Sequence, residues 1–229
     1  GEEEEGEEGG RSKGSSDAGK KASCALAVGV GYLSDPDNLG GLAHFVEHML
    51  FMGTEKYPDE NAWGTFLSER GGTDNGETDA EHTVFYFDVQ PAHLREALDR
   101  FAQFFAAPLL KWDASRREVK AIESEFQQAK QGDAERQAQL LWHLCEPDHP
   151  YHRFGWGDQR SLVDIPEAAG VDVQAAVRRF HAEQYSANLM TLVVVGPDSL
   201  DTLQAWAAES CAAIPNLRRT RPSFGAAGA

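Results

Sequence analysis

Apolar residues recur along this chain with two different periods, one typical of strands and one typical of helices. From Ala25 to Tyr32 the apolar positions nearly alternate with small or polar ones, which predicts a strand. From Leu42 to Met52 they follow a helical period that stops at Gly53, which predicts a helix with a glycine after its last turn. Strands separated by helices predict an α/β layer in which helices cover a sheet. The same criteria predict further strands at 84–89 and 191–195 and further helices at 61–70, 91–106, 113–129, 133–145, 171–184 and 199–213.

The first part of the chain is too polar to pack. Residues 1–22 consist mainly of Glu, Gly, Ser and Lys and include no large apolar residue, so we predict that they form an acidic, disordered segment. The periodic patterns begin near Ser23, and the whole chain is 229 residues long with 41% apolar residues. That length suffices for one domain with a buried core, which we predict over residues 23–229.

The chain is acidic, with 37 Asp and Glu against 21 Lys and Arg and a formal net charge of −16. Binding to a nucleic acid requires clustered Lys and Arg, so we expect no nucleic-acid partner. An acidic surface instead attracts basic peptides or metal ions, and these are the partners that the charge predicts.

The sequence carries no recognisable targeting segment. No apolar run approaches the roughly 20 residues of a membrane helix, and the chain opens on Gly and Glu rather than on a basic start and an apolar stretch. The three cysteines, Cys24, Cys145 and Cys211, are far apart and form no CxxC pair, which suits a reducing compartment. We therefore predict no membrane span and a cytoplasmic location. Because Gly1 is not a natural start, we expect a processed chain or a fragment.

Three residues of the helix predicted from Leu42 form an H-x-x-E-H motif, namely His44, Glu47 and His48. Each helical residue turns by about 100°, so His48 lies about 40° from His44 and Glu47 about 60° on its other side. Two imidazoles on one face can hold a Zn²⁺ ion at about 2.0 to 2.1 Å, and a carboxylate beside it can act as a general base. The alternative is that both histidines are ordinary helix residues, partly buried and hydrogen-bonded.

A zinc site needs a third protein ligand, and the predicted helix 113–129 is the best source. Glu118 and Glu125 are seven residues apart and share one stripe of that helix. The alternative is a solvated, Glu-rich face paired with Arg116 or Arg117. The helix therefore predicts a pair of carboxylates on one side and leaves their role open.

Longer stretches of the sequence resemble one family. The chain is similar to the inverzincin metallopeptidases of the pitrilysin and insulin-degrading-enzyme type, from about Lys21 to Phe224, which is far more specific than the five-residue motif alone. The resemblance implies a two-layer α+β domain whose mixed, largely antiparallel sheet is covered by helices, with the family's first strand missing upstream and a sheet edge exposed. The matching stretches are GLAHFVEHMLFMGTEKYP (41–58), the segment 61–89 ending in EHTVFYFDV, ALDRFAQFFAAPL (97–109), REVKAIESE (117–125) and SANLM (186–190).

The resemblance also implies a role for individual residues. His44 and His48 match the family's zinc ligands, Glu125 matches its third ligand and Glu47 matches the catalytic base that activates a water molecule. The expected cofactor is therefore one Zn²⁺ ion in each chain.

Two further residues match positions around the metal. Glu118 matches an outer carboxylate that orients a ligand histidine. Asn75 matches a substrate-contacting position, although an asparagine in a Gly-rich turn is an alternative interpretation. The implied activity is that of a zinc metalloendopeptidase that hydrolyses peptides. The resemblance also implies cleavage at basic or dibasic sites, as in some family members, and the acidic balance of this chain fits that preference.

Family enzymes close a second half over the zinc half, and this sequence contains no counterpart of it. The resemblance therefore implies that the remaining domains of a full-length enzyme are partners of this chain, and that the fragment alone cleaves weakly or not at all. The segment GEEEEGEEGG resembles a shortened form of an acidic insertion found in some family members, with a generic solvated tail as the alternative. A rival function is a non-catalytic acidic module that recruits basic peptides or proteins.

Overall fold

The computed structural model describes residues 20–224. Nearly all of the acidic segment predicted for residues 1–22 lies outside the described residues, as do residues 225–229 of the predicted domain. Within the described part, Ala22 already belongs to the first strand.

Four strands form one open sheet in the described part of the chain: β1 (Ala22–Val28), β2 (Thr73–Thr78), β3 (Thr83–Val89) and β4 (Met190–Val195). Their order is β2-β3-β1-β4, and every neighbouring pair is antiparallel. The predicted class, an antiparallel sheet covered by helices, is therefore confirmed. The missing first strand of the family stays a prediction, and β2 was not predicted at all.

The helices agree with the sequence pattern except at their ends. Most boundaries lie within one to two residues of those predicted, and the short helix α6, next to a π-helical turn at 160–164, was not predicted. The helices are α1 (Leu42–Leu50), α2 (Ala62–Ser68), α3 (Leu94–Ala106), α4 (Trp112–Ala129), α5 (Asp133–His143), α6 (Ile165–Ala168), α7 (Val173–Gln184) and α8 (Leu200–Cys211).

The predicted strand at 25–32 is wrong at its C-terminal end, because the chain leaves the sheet after Val28. The backbone N–H groups of Tyr32 and Leu33 donate to the carbonyls of Asp79 and Ala80, in the turn between β2 and β3. A short 3₁₀ turn at Tyr32–Ser34 follows and leads towards α1. The apolar alternation continues past the strand because these residues remain buried without being paired in the sheet.

Helices pack on one face of the sheet, where alternate residues of β1 and β3 point into the core. The opposite face is open: Tyr86, Val193 and Val195 are exposed on it. No helix in the described residues is long and apolar enough to cross a membrane. The largest fully buried side chains include Phe45, Met49, Phe85, Phe87, Phe101, Phe105 and Tyr185.

Candidate metal centre and active site

The helix that carries the H-x-x-E-H motif is fixed at its first turn by a buried carboxylate. Asp35 accepts hydrogen bonds from the backbone N–H groups of Gly41 and Ala43, both at 2.7 Å. These N–H groups have no partner within the helix, so the carboxylate satisfies donors that would otherwise be buried unpaired. Gly41 has a φ of +88° and packs directly against Gly157. A Cβ atom added to Gly41 would lie only 2.2 Å from the Gly157 Cα atom. This close crossing brings the loop that contains Trp156 against α1.

Both histidines of α1 present their Nε2 atoms to the same point. The Nδ1 atom of His44 lies 2.6 Å from the Trp156 carbonyl, which can only accept, so Nδ1 carries the proton. The Nδ1 atom of His48 lies 3.2 Å from Glu118 Oε2. With Nδ1 engaged in each ring, the two Nε2 atoms are left 3.3 Å apart as ligand atoms. The structure therefore brings Glu118 to the His48 ring, and its role as an outer carboxylate stays a prediction.

Glu125 completes a triangle of ligand atoms. Its Oε2 atom lies 3.7 Å from His44 Nε2 and 3.5 Å from His48 Nε2. Ligands at 2.0 to 2.1 Å from a tetrahedral zinc ion are separated from one another by about 3.3 to 3.4 Å. The observed separations fit such an ion, and two imidazoles with one carboxylate are a donor set that catalytic zinc sites use.

Glu47 lies beside this triangle but is held by a different element. Its side chain is buried, and Oε2 accepts a hydrogen bond of 2.5 Å from the Thr78 hydroxyl on β2. Ligand-type atoms of His44, Glu47 and His48 lie within 4.8 Å of one another. Burial raises the pKa of Glu47 to about 7, with the Thr78 hydrogen bond opposing it. A carboxylate with a pKa near neutrality can both accept and return a proton.

The surroundings also shift the pKa values of the other ionisable groups of the site. Burial lowers the pKa of His44. Burial also acts to lower the pKa of His48, but the carboxylates of Glu118 and Glu125 outweigh it and raise that pKa to about 9. The hydrogen bond with His48 lowers the pKa of Glu125. Without a metal, His48 thus carries a proton that a divalent cation must displace.

Asn75 lies on β2 rather than in the turn of the alternative interpretation. Its Nδ2 atom donates to the Tyr86 hydroxyl at 3.2 Å, and that hydroxyl donates to Glu77 at 2.7 Å. A larger cavity of about 920 Å³ elsewhere on the surface contains none of the predicted site residues. All six predicted residues instead line one cavity of about 420 Å³: His44, Glu47, His48, Asn75, Glu118 and Glu125.

Sequence reasoning missed three groups that hold this site in place: the Asp35 carboxylate, the Trp156 carbonyl and the Thr78 hydroxyl. The Trp156 group is a backbone oxygen, which has no sequence signature. Asp35 stands seven residues before α1, which is too far for an ordinary N-cap motif. Each of the three acts across a loop or a strand pairing, and local periodicity does not report such contacts.

Comparison with known proteins identifies the family. The sequence profile described as "Insulinase (Peptidase family M16)" matches residues 14–146. The chain belongs to peptidase family M16. A second profile of this family, described as "Peptidase M16 inactive domain", matches residues 173–226. All six predicted site residues lie in the first M16 match and none in the second.

Individual relatives agree with the M16 assignment. The chain is 50% identical to "Nardilysin" of Homo sapiens over 206 residues, which are 90% of this chain and 18% of that protein. It is 47% identical to "Insulin-degrading enzyme" of Drosophila melanogaster over 203 residues, covering 89% and 20%. The crystal structure of pitrilysin matches with a TM-score of 0.85 and 36% identity, covering 89% of this chain and 21% of that one. The chain spans about a fifth of the length of these M16 relatives.

Proposed function

We propose that this chain is the zinc-binding catalytic domain of an M16 metalloendopeptidase, with His44, His48 and Glu125 as the metal ligands and Glu47 as the general base. The observation that supports it most directly is the triangle of two Nε2 atoms and one Oε2 atom at 3.3 to 3.7 Å, with the Glu47 carboxyl group beside it. Bound zinc would supply a Lewis acid that polarises a peptide carbonyl and makes water nucleophilic at neutral pH.

The chain's own residues would orient the ligands and move the proton. Glu47 takes a proton from the attacking water at its carboxyl group and returns it to the leaving amine, a cycle that a pKa of about 7 permits in both directions. Glu118 and the Trp156 carbonyl hold the two imidazole rings in the orientation that directs each Nε2 atom to the metal. Asn75, at the rim of the same cavity, would contact the peptide backbone of the substrate.

We propose basic peptides as the substrates, with cleavage at basic or dibasic sites. The chain carries a net charge of −16, which attracts cationic peptides over long distances. Asp74 lines the cavity itself, and Glu77 directly precedes Thr78 on the same strand. These acidic groups would favour Lys or Arg side chains near the scissile bond.

The remaining domains of a longer protein are proposed as partners. The M16 relatives are about five times as long as the part that this chain matches. Catalysis depends strongly on positioning the substrate and excluding water, so we expect the isolated chain to bind zinc but to cleave weakly. For the compartment, the cytoplasm stays a prediction.

Replacing Glu47 by Gln in the complete gene product tests the proposal. We expect Glu47→Gln to lower kcat by about 100- to 10,000-fold on an internally quenched peptide that contains an Arg-Arg pair, because the proton acceptor is lost. The variant should still bind one zinc ion, whereas His44→Ala should lose the metal. Glu55→Gln, at an exposed position, is the matched control and should leave kcat unchanged. Full activity of Glu47→Gln refutes the mechanism, and a metal-free protein that still binds basic peptides favours the acidic binding module.

A further inference from the structure

The Glu47 carboxyl group is hydrogen-bonded to strand β2, which carries none of the proposed metal ligands. Thr78 is the last residue of β2, and its hydroxyl lies 2.5 Å from Glu47 Oε2. Thr83, directly opposite on β3, has its hydroxyl 3.4 Å from that of Thr78 and 3.0 Å from the Val30 carbonyl. A short chain of hydroxyl groups thus connects Glu47 to the buried backbone beneath it.

The hydrogens of this chain can be assigned by counting donors. A threonine hydroxyl has one hydrogen, and a carbonyl oxygen can only accept, so the Thr83 hydrogen goes to Val30. The Thr78 hydrogen is then directed to Glu47 Oε2, with the Thr83 oxygen offering only a distant, weaker acceptor at 3.4 Å. Donation to an ionised carboxylate gives a short, strong hydrogen bond, in agreement with the observed distance.

The other side of the carboxyl group lies against the backbone of the same strand. A Cβ atom added at Gly76 would be 2.6 Å from Glu47 Oε1 and 2.8 Å from both Cγ and Cδ. The side chain of Glu47 therefore packs in the space that a side chain at this position would occupy. Oε2 of the carboxylate is bonded to Thr78, and Oε1 lies beside Gly76, which lines the same cavity as Glu47 and the proposed metal ligands.

We infer that Thr78 is a positioning residue of the reaction: its hydroxyl holds Glu47 Oε2 so that Oε1 is the oxygen that accepts and returns the proton. The inference rests on the proposed function, in which Glu47 is the general base. Without the hydroxyl, the carboxyl group can rotate about its last torsion angles, and a misplacement of about 1 Å lowers the rate of such a step by about 100-fold. Because Thr78 contacts no metal ligand atom directly in this arrangement, metal binding should not depend on it.

The test uses two substitutions at Thr78 in the complete gene product loaded with zinc. Thr78→Val keeps the shape and removes the hydroxyl, and we expect kcat on the Arg-Arg peptide to fall by about 10- to 100-fold with KM and the zinc content unchanged. Thr78→Ser keeps the hydroxyl and should keep kcat close to that of the parent. Thr73→Val is the matched control, since it removes a hydroxyl from the same strand that bonds only to Asp88.

The outcomes separate this inference from the proposed function. If Glu47→Gln is inactive but Thr78→Val is as active as the parent, Thr78 does not position the base and only the inference is wrong. A Thr78→Ser variant as inactive as Thr78→Val also overturns it, because the hydroxyl would then not be the group that matters. If Glu47→Gln is fully active, the proposed function itself fails. Should Thr78→Val not fold, Thr78→Ala compared with Thr78→Ser decides in the same way.

Discussion

Replacing Glu118 tests whether the metal centre depends on a residue that is not a proposed ligand. Glu118 Oε2 lies 3.2 Å from His48 Nδ1, and only 18% and 15% of the two side chains are exposed. Loss of such a partner of a ligating histidine lowers metal affinity by about 10- to 100-fold, or about 1.4 to 2.7 kcal/mol. We expect Glu118→Ala to weaken zinc binding within this range. Glu118→Gln keeps an acceptor oxygen without the charge and should weaken it less.

The size of this loss should depend on pH, because zinc competes with a proton at His48. The pKa of His48 is about 9 in the metal-free protein. At pH 7, zinc binding therefore replaces the single positive charge of protonated His48, near Glu118, by the two charges of the zinc ion. Above pH 9, His48 is neutral, and zinc binding adds two positive charges. The carboxylate thus favours the zinc-bound state more strongly at high pH. We expect the loss in Glu118→Ala to be about tenfold at pH 7 and to approach about 100-fold at pH 9.5.

Zinc affinity at the two pH values can be measured by competition with a chromophoric chelator. Glu123→Ala is a suitable control, because Glu123 lies on the same helix but accepts a hydrogen bond from the backbone N–H of Gln159. If Glu118→Ala binds zinc as tightly as the parent at both pH values, Glu118 does not support the His48 ligand. An equal loss of affinity in the Glu123→Ala control would likewise show that the effect is not specific to Glu118.

Three further predictions follow from the same groups. Titration calorimetry at pH 7.5 in buffers of different ionisation enthalpy should show about one proton released for each zinc ion bound, because His48 has a pKa of about 9. Asp35→Ala should lower the free energy of unfolding by about 1 to 2 kcal/mol in urea, whereas exposed Asp37→Ala should change it little. The raised pKa of Glu47 destabilises the metal-free fold progressively as the pH rises from the ordinary value of 4.5 to about 7. At pH 8, the metal-free Glu47→Gln variant should therefore be more stable than the parent by up to about 3 kcal/mol and should melt at a higher temperature. At pH 4, the two proteins should melt at the same temperature.

The proposed metal ligands could be predicted because the donor groups come in pairs, and each pair depends on the geometry of a single helix. The spacing of His44 and His48 places them on one face of α1, and the spacing of Glu118 and Glu125 places them on one face of α4. The structure adds only the packing of one helix against the other. Local periodicity cannot predict which helices pack together. The resemblance to the family implied this packing, because it matched Glu125 to the third ligand.

Strand β2, by contrast, could not be predicted, because it depends on pairing with another strand and not on a local sequence pattern. Its sequence, TDNGET, has no apolar alternation, because it is the edge of the sheet and its residues are mostly exposed. It is a strand because β3, an aromatic-rich strand with a clear pattern, offers it hydrogen-bonding partners over its whole length. The position of Asn75 in the cavity, and of Thr78 against Glu47, follows from this pairing and from no local feature.

The two parts of the candidate site therefore differ in how the chain encodes them. Metal ligands require only that a few strong donor groups meet at a point, and two amphipathic helices with the right spacing achieve this. A general base additionally needs a tuned pKa and a fixed rotamer, and Glu47 receives both from burial and from Thr78, 31 residues further along the chain. A protein that kept the H-x-x-E-H helix but lost the pairing of β2 with β3 should accordingly still bind zinc while losing the environment that makes Glu47 an effective base.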